Sequence, residues 1–177
     1  MVKSARFKEM VWSSFPEYNF IIFMSDYLKE LREKTGHMPL LIPHSVVVLL
    51  DEHNNVLLEE RADDGYFDFP GGGIDLKESA EEAAKRELEE ETGLIADSLA
   101  LFKVYTGEIT YYVYFNGDEI YGVDMVYLCN KYHGEMIPQK EEVKSLKFYS
   151  LNDMPDKMSI RNKQIVKDLI EMFKNNK

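Results

Sequence analysis

The chain has one cysteine, Cys129, among its 177 residues. A single thiol cannot close an internal disulfide, so the stapled framework of a small secreted domain is excluded. Set in an apolar run, Cys129 reads as a small buried hydrophobe, and the scarcity of cysteine predicts a reducing, cytoplasmic setting. Long hydrophobic runs are missing as well. The opening segment offers nothing more apolar than Phe20-Ile21-Ile22-Phe23-Met24, far short of the about 20 residues needed to cross a bilayer. Met1 to Met10 alternates charge with isolated apolar residues, unlike a secretory leader. No membrane partner is expected.

Positive charge is in short supply. There are 21 basic and 32 acidic residues, for a formal net charge of -11. With no basic stripe to offset this, nucleic acid is excluded as a partner, and a phosphate-bearing ligand would have to arrive with cations. Zinc-type spacings are absent: there is no His-x-x-x-His or Cys-x-x-Cys, and His44 and His133 lie far apart. Both histidines read as structural, and no spacing marks a Ser/His/Asp arrangement. No repeat or low-complexity tract occurs. What remains, 45% hydrophobic and 30% charged residues, is ordinary for one globular domain with a core of its own.

Residues 1–36 differ in style from the rest, with Phe7, Trp12, Phe15, Tyr18, Phe20, Phe23 and Tyr27 crowded together. Ile21, Met24, Leu28 and Leu31 recur at helical spacing, and Gly36 stands where a helix would stop. This segment is expected to be an N-terminal helical extension, packed on the core or at a homodimer interface; covering the substrate is the alternative. Residues 37–177 are expected to form the main domain. Strands are predicted at Leu40 to Leu50 and Val56 to Arg61, joined by the turn Asp51 to Asn55, then at Leu99 to Thr106, Thr110 to Phe115, Ile120 to Tyr132 and Ser145 to Tyr149. A closing helix is marked by Ile165, Val166, Leu169, Ile170 and Phe173. Strands placed among helices imply a layered α/β domain.

The acid excess is concentrated in Gly72 to Leu94, where eight acids face three bases for a local charge of -5. Three consecutive glycines, Gly71 to Gly73, permit backbone geometries closed to other residues and let a carbonyl face a ligand. Ser79 and Glu82 form a capping-box pair, strong helix formers follow, and Gly93 supplies a stop, so a helix is predicted over Ser79 to Thr92. At about 100° per residue, Glu90, Glu91, Ala80, Ala83 and Ala84 all fall within about 60° of Glu87, while Glu82, Lys85 and Glu89 lie opposite. The small alanines mark the side expected to approach the fold. Three carboxylates gathered there would repel one another and resist desolvation. A hard cation such as Mg2+ or Mn2+ removes both penalties by taking their oxygens as ligands.

The same stretch resembles the box of the MutT-like Nudix hydrolases: Gly, five residues, Glu, seven residues, then Arg-Glu-apolar-any-Glu-Glu-any-Gly-apolar. Gly72, Glu78, Arg86, Glu87, Leu88, Glu90, Glu91, Gly93 and Leu94 fill every specified position. Chance would produce such a match on the order of once in 10^8 windows or more rarely. The resemblance implies a Nudix-type α/β/α sandwich with a mixed sheet. It also implies Mg2+ (or Mn2+) held by Glu87, Glu90, Glu91 and the Gly72 carbonyl. Arg86 would orient the carboxylates, and Glu78 and Gly93 would serve the structure of the box. The implied chemistry is attack of water on a phosphorus of a pyrophosphate linkage, through charge stabilisation and positioning.

Outside the box the family often carries one more glutamate ahead of the last core strand. Glu142 stands four residues before Leu146 and is the candidate, with Glu141 adjacent; the general base is then Glu87 or Glu142. Arg61 is a candidate for phosphate or base contact and equally for a structural ion pair. Phe67 occupies a place where the family often has tryptophan, as a stacking platform or as core. The implied substrate is a small nucleotide: a nucleoside diphosphate linked to another moiety, whether a nucleoside triphosphate, ADP-ribose or another nucleotide sugar, or a dinucleoside polyphosphate. The alternative is a non-catalytic Nudix-like module that binds nucleotide or a protein partner. Such modules usually lose box carboxylates, and this chain keeps them all.

Overall fold

The computed structural model describes residues 26–114 and 116–175. Ile21, Met24 and Phe115, which entered the expected helix and strand, lie outside the described residues. At the centre is β1 (Leu40–Leu49), whose Val46 to Leu49 are buried on both faces, as layers on either side require. It runs parallel to β8 (Glu119–Cys129), from Leu40 opposite Ile120 to Leu49 opposite Cys129. β4 (Gly71–Gly73) pairs antiparallel with β1, and β6 (Ala100–Tyr105) and β7 (Tyr111–Val113) pair antiparallel with β8. The result is a mixed sheet of order β4-β1-β8-β6, with β7 also on β8. A second sheet joins β10 (Val143–Tyr149), β2 (Val56–Arg61) and β3 (Phe67–Asp68), and β5 (Leu94–Ala96) pairs with β9 (Tyr132–Gly134).

The helices are α1 (Asp26–Thr35), α2 (Ala80–Thr92) and α3 (Ile160–Asn175). Because successive strand residues point to opposite faces, the core divides in two. Val46, Val48 and Leu58 pack with Ile165, Val166 and Leu169 of α3. Val47, Leu49 and Leu57 pack with Ala84 and Leu88 of α2. Each fully buried leucine contributes about 2 kcal/mol. The expected α/β/α sandwich is therefore present. Among the described residues no helix is long and apolar enough to cross a membrane.

Three elements depart from the sequence expectation, and the first two depend on a partner distant in the chain. The glycines read as an open loop form β4: Gly71 lies so close to β1 that a Cβ would sit 2.3 Å from the Ser45 carbonyl oxygen. The long strand expected from Ile120 to Tyr132 ends at Cys129, and Tyr132 to Gly134 turn away to pair with Leu94 to Ala96. The strand expected from Thr110 is reduced to Tyr111 to Val113, after a 3-10 turn over Gly107–Thr110. At the chain's other end, α1 is fastened to the core. Arg32 donates from Nη2 to the Glu119 carbonyl at 2.8 Å and from Nη1 to that of Met38 at 2.7 Å.

Candidate active site

α2 is built by local rules. The Ser79 hydroxyl accepts the Glu82 amide while Glu82 accepts the Ser79 amide, and Gly93 ends the helix in the left-handed region at φ 73°. Its buried residues are Ala83, Ala84, Leu88, Glu91 and Thr92, so the buried sector is turned toward Leu88, the largest apolar side chain available. That rotation grades the three box glutamates. Glu91 is 6% exposed, the Glu87 side chain 15% and the Glu90 side chain 44%. The expectation that all three face inward is corrected for Glu90, which stands on the solvent rim.

Arg86 organises the near side. Its Nε and Nη2 donate to the two oxygens of Glu78 at 2.8 Å each, its Nη1 to Glu87 Oε1 at 2.5 Å, and its Nη2 also to the Gly73 carbonyl at 3.1 Å. Glu90 Oε2 is 3.3 Å from Nη1. Glu78 also accepts the Asp75 amide at 3.1 Å, so the ion pair ties the loop to the helix. Gly72 lies against the same carboxylate: a Cβ there would sit 2.6 Å from Glu87 Oε1. Deeper in, Glu91 Oε2 accepts the Gly71 amide at 2.8 Å. Burial, and then the charges of Glu59 and Glu87, push the Glu91 carboxyl well above the usual carboxylate range. Burial also raises Glu87, against the opposing pull of Arg86.

Glu142 immediately precedes β10 and is half-buried, while Glu141 beside it is exposed. The Glu142 carbonyl is held by the Ala62 amide at 2.8 Å. Burial, followed by the charges of Glu87 and Glu90, lifts its carboxyl to about 7. Loop and helix thus bring Glu142 into the field of the box carboxylates. For Arg61 the structure gives an ion pair and for Phe67 a core contact. The Arg61 guanidinium forks onto Asp63 at 3.0 and 2.5 Å and stands 3.4 Å from Asp64. Phe67 packs edge-on against Tyr149, centroids 5.7 Å apart, as part of the α3-side core.

Two features escaped the sequence reading. Glu59 on β2 is 5% exposed, and its Oε2 has no hydrogen-bond partner. Burial, with the charges of Asp68 and Glu142 adding, lifts it to about 8, and Glu91 is its hydrogen-bonding neighbour. The signal was available, because alternation from Leu57 aims residue 59 inward. Arg161 bonds Asp68 Oδ1 at 2.5 Å and Asp124 Oδ2 at 3.2 Å, while His44 reaches Asp124 at 3.0 Å and Asn162 reaches Asp68 at 2.8 Å. No spacing in the sequence announces that network. Among the described residues, no three acidic, histidine or cysteine side chains are closed around one point; Arg86 holds Glu87 and the Gly71 amide holds Glu91. A hollow of about 280 Å³ beside Leu50, Leu128 and Met172 involves none of these carboxylates.

A family model, the NUDIX domain, matches residues 40–169. The chain is 29% identical over 123 residues to an ADP-ribose pyrophosphatase of Methanocaldococcus jannaschii, a match covering 68% of each chain. It is 35% identical over 63 residues to an 8-oxo-dGTP diphosphatase of Escherichia coli, spanning 33% of this chain and 49% of that protein. Among solved structures, a MutT NUDIX hydrolase from Burkholderia pseudomallei shares the fold with a TM-score of 0.60 at 24% identity, covering 72% of this chain and 95% of that one. A family match running from the first strand into the closing helix, across a box with every specified residue in place, leaves no gap: the chain belongs to the Nudix hydrolase family.

Proposed function

We propose that this protein is a divalent-metal-dependent pyrophosphohydrolase that cleaves the diphosphate linkage of a nucleoside diphosphate joined to another moiety. The observation that carries the reading is the crowding of buried acids at the box: Glu91 is enclosed against the Gly71 amide with the buried Glu59 as its neighbour, and the Glu87 carboxylate lies against Gly72. Such a cluster is poorly matched to its own side chains and well matched to a hard dication, whose preferred donors are oxygens. The orphaned Oε2 of Glu59 and the all-oxygen donor set fit Mg2+ or Mn2+.

Glu87, Glu90 and Glu91, with the Gly72 carbonyl, would hold the ion. A bound dication supplies charge neutralisation of the diphosphate and a lowered pKa for the attacking water. Arg86 keeps Glu87 in place while Glu78 anchors Arg86 to the loop. Glu142, half-buried and not gripped by an arginine fork, takes the proton of the water as its oxygen attacks phosphorus. The bridging P–O bond breaks, and the leaving phosphate carries away the electron pair. Glu87 is the other candidate base, and its bond to Arg86 makes it the weaker acceptor.

Residues 37–177 would form the hydrolase domain and residues 1–36 an extension whose described part, α1, packs on the core through Arg32. A homodimer through the extension is compatible with this. A cytoplasmic setting suits the buried free thiol of Cys129. The relatives named above act on ADP-ribose and on 8-oxo-dGTP, and both fit the proposed substrate class. The test is phosphate or nucleoside monophosphate release from a panel of such nucleotides with Mg2+ or Mn2+. Release from at least one substrate, lost in Glu91→Gln, is expected. No hydrolysis, with Glu91→Gln binding nucleotide as well as the parent, would show a binding module instead.

A further inference from the structure

Glu59 is a buried carboxyl group that the box leaves unused. β2 alternates, sending Leu57 to the α2-side core and Leu58 to the α3-side core. Glu59 therefore shares the face of Leu57, beneath α2, and pairs in register with Leu146 on one side and Asp68 on the other. Its side chain is almost wholly enclosed, and Oε2 meets no donor. An ionised carboxylate so placed is costly unless a positive charge answers it.

The chain does not supply that charge. Arg61 is taken up by Asp63 and Asp64. Arg86 is taken up by Glu78, Glu87 and the Gly73 carbonyl. The other groups acting on Glu59 are Glu91, Asp68 and Glu142, all acidic. The contrast with Asp124 and Asp68 is direct. Asp124 is as deeply buried, yet it receives both Arg161 and His44, and Asp68 receives Arg161 and Asn162. The fold gives Asp124 and Asp68 the Arg161 guanidinium as a partner and leaves Glu59 facing Glu91.

We propose that Glu59 is an additional oxygen ligand of the divalent-cation site, reaching the ion from the strand layer beneath Glu91. The inference rests on the metal reading given above and adds a ligand outside the box. A second role is physically available: Glu59 could stay protonated and merely donate a hydrogen bond to Glu91. The two differ in what an amide at position 59 would do, since glutamine keeps the hydrogen bond and is a far poorer cation ligand.

The experiment is a Mn2+ titration, followed by calorimetry and by the electron paramagnetic resonance of free Mn2+, on the full chain stripped of metal and without nucleotide. Parent, Glu59→Gln, Glu59→Leu and Glu91→Gln proteins are compared. Glu59→Gln is expected to weaken Mn2+ binding by about tenfold or more, or to remove one bound ion. Its metal-free form should melt no lower than the parent, because glutamine keeps the hydrogen bond to Glu91 and carries no charge at any pH. If Glu59→Gln does not fold, Glu59→Leu carries the same reading. Parent-like Mn2+ binding by the folded Glu59 variant, with binding lost in Glu91→Gln, would overturn the role of Glu59 alone. Parent-like binding in Glu91→Gln as well would overturn the cation site itself, and Glu59 with it.

Discussion

The Gly71 amide donates a 2.8 Å hydrogen bond to Oε2 of Glu91, fastening the first residue of β4 to the last turn of α2. Gly71 is itself pressed onto β1, opposite Val46, so the carboxylate is referred to the centre of the sheet. Glu87, one turn back, is held instead by Arg86. Two neighbouring glutamates of one helix are thus positioned by two different parts of the fold. The site that results is firm at its base and open at Glu90.

Gly72→Ala should separate activity from stability. Gly72 does not need a left-handed backbone, and the atoms its new Cβ would meet, at 2.6 to 3.1 Å, all belong to the Glu87 carboxylate. That carboxylate must move. A fall in kcat of about tenfold to a hundredfold is expected, with a melting shift under about 4 °C. Gly71→Ala, whose Cβ would strike the Ser45 carbonyl at 2.3 Å, should instead lower the melting temperature severely. Steady-state kinetics and thermal denaturation on both variants check the pair.

The two candidate bases are distinguished by pH profiles. Glu142→Gln is expected to lower kcat by about a hundredfold and to remove the acid limb of the pH–rate curve, with Mn2+ affinity retained. Glu87→Gln should lower Mn2+ affinity together with kcat. An acid limb that survives in Glu142→Gln would assign the base to Glu87.

Stability in chelator should decline as pH rises. Glu59 and Glu142 bind their protons more tightly in the folded chain, at about 8 and about 7 against 4.5 unfolded. Their contribution is complete below about 4.5 and is lost as pH climbs through those values. Glu91 and Glu87 are shifted in the same direction. Asp51, Asp63, Asp124 and Asp168 are lowered and act only in acid, below this window. The melting temperature with chelator should therefore fall between about pH 5 and pH 8.5. Mg2+ at a hundredfold its dissociation constant should add about 2.7 kcal/mol, or about 5 to 10 °C. Scanning fluorimetry across that range, with and without Mg2+, is the measurement.

Arg161→Met should expose how much the polar network behind β3 depends on one cation. Asp68 and Asp124 would be left buried without it, at a loss of about 3 to 5 kcal/mol. Adding Asp124→Asn should recover part of that loss in denaturant unfolding.

The sequence by itself determined α2 and which carboxylates it gathers. Ser79, Glu82 and Gly93 act through bonds spanning one helical turn, and the Glu87, Glu90, Glu91 spacing sets which side chains share a side of the helix. Interactions of such short range can be read from order alone. Depth was not legible in the same way. Leu88 and its neighbours turned the helix so that Glu91 is sealed, Glu87 largely covered and Glu90 exposed, because burial follows the summed apolar area of residues distant in the chain. The same holds for Gly71 to Gly73 becoming a strand, for Tyr132 to Gly134 leaving β8, and for Arg161 meeting Asp68 and Asp124. It holds most clearly for Glu59, an unremarked strand residue in the sequence that only the tertiary structure sets against Glu91. Two carboxylates on separate elements become neighbours only when the sheet and the helix that carry them are packed together.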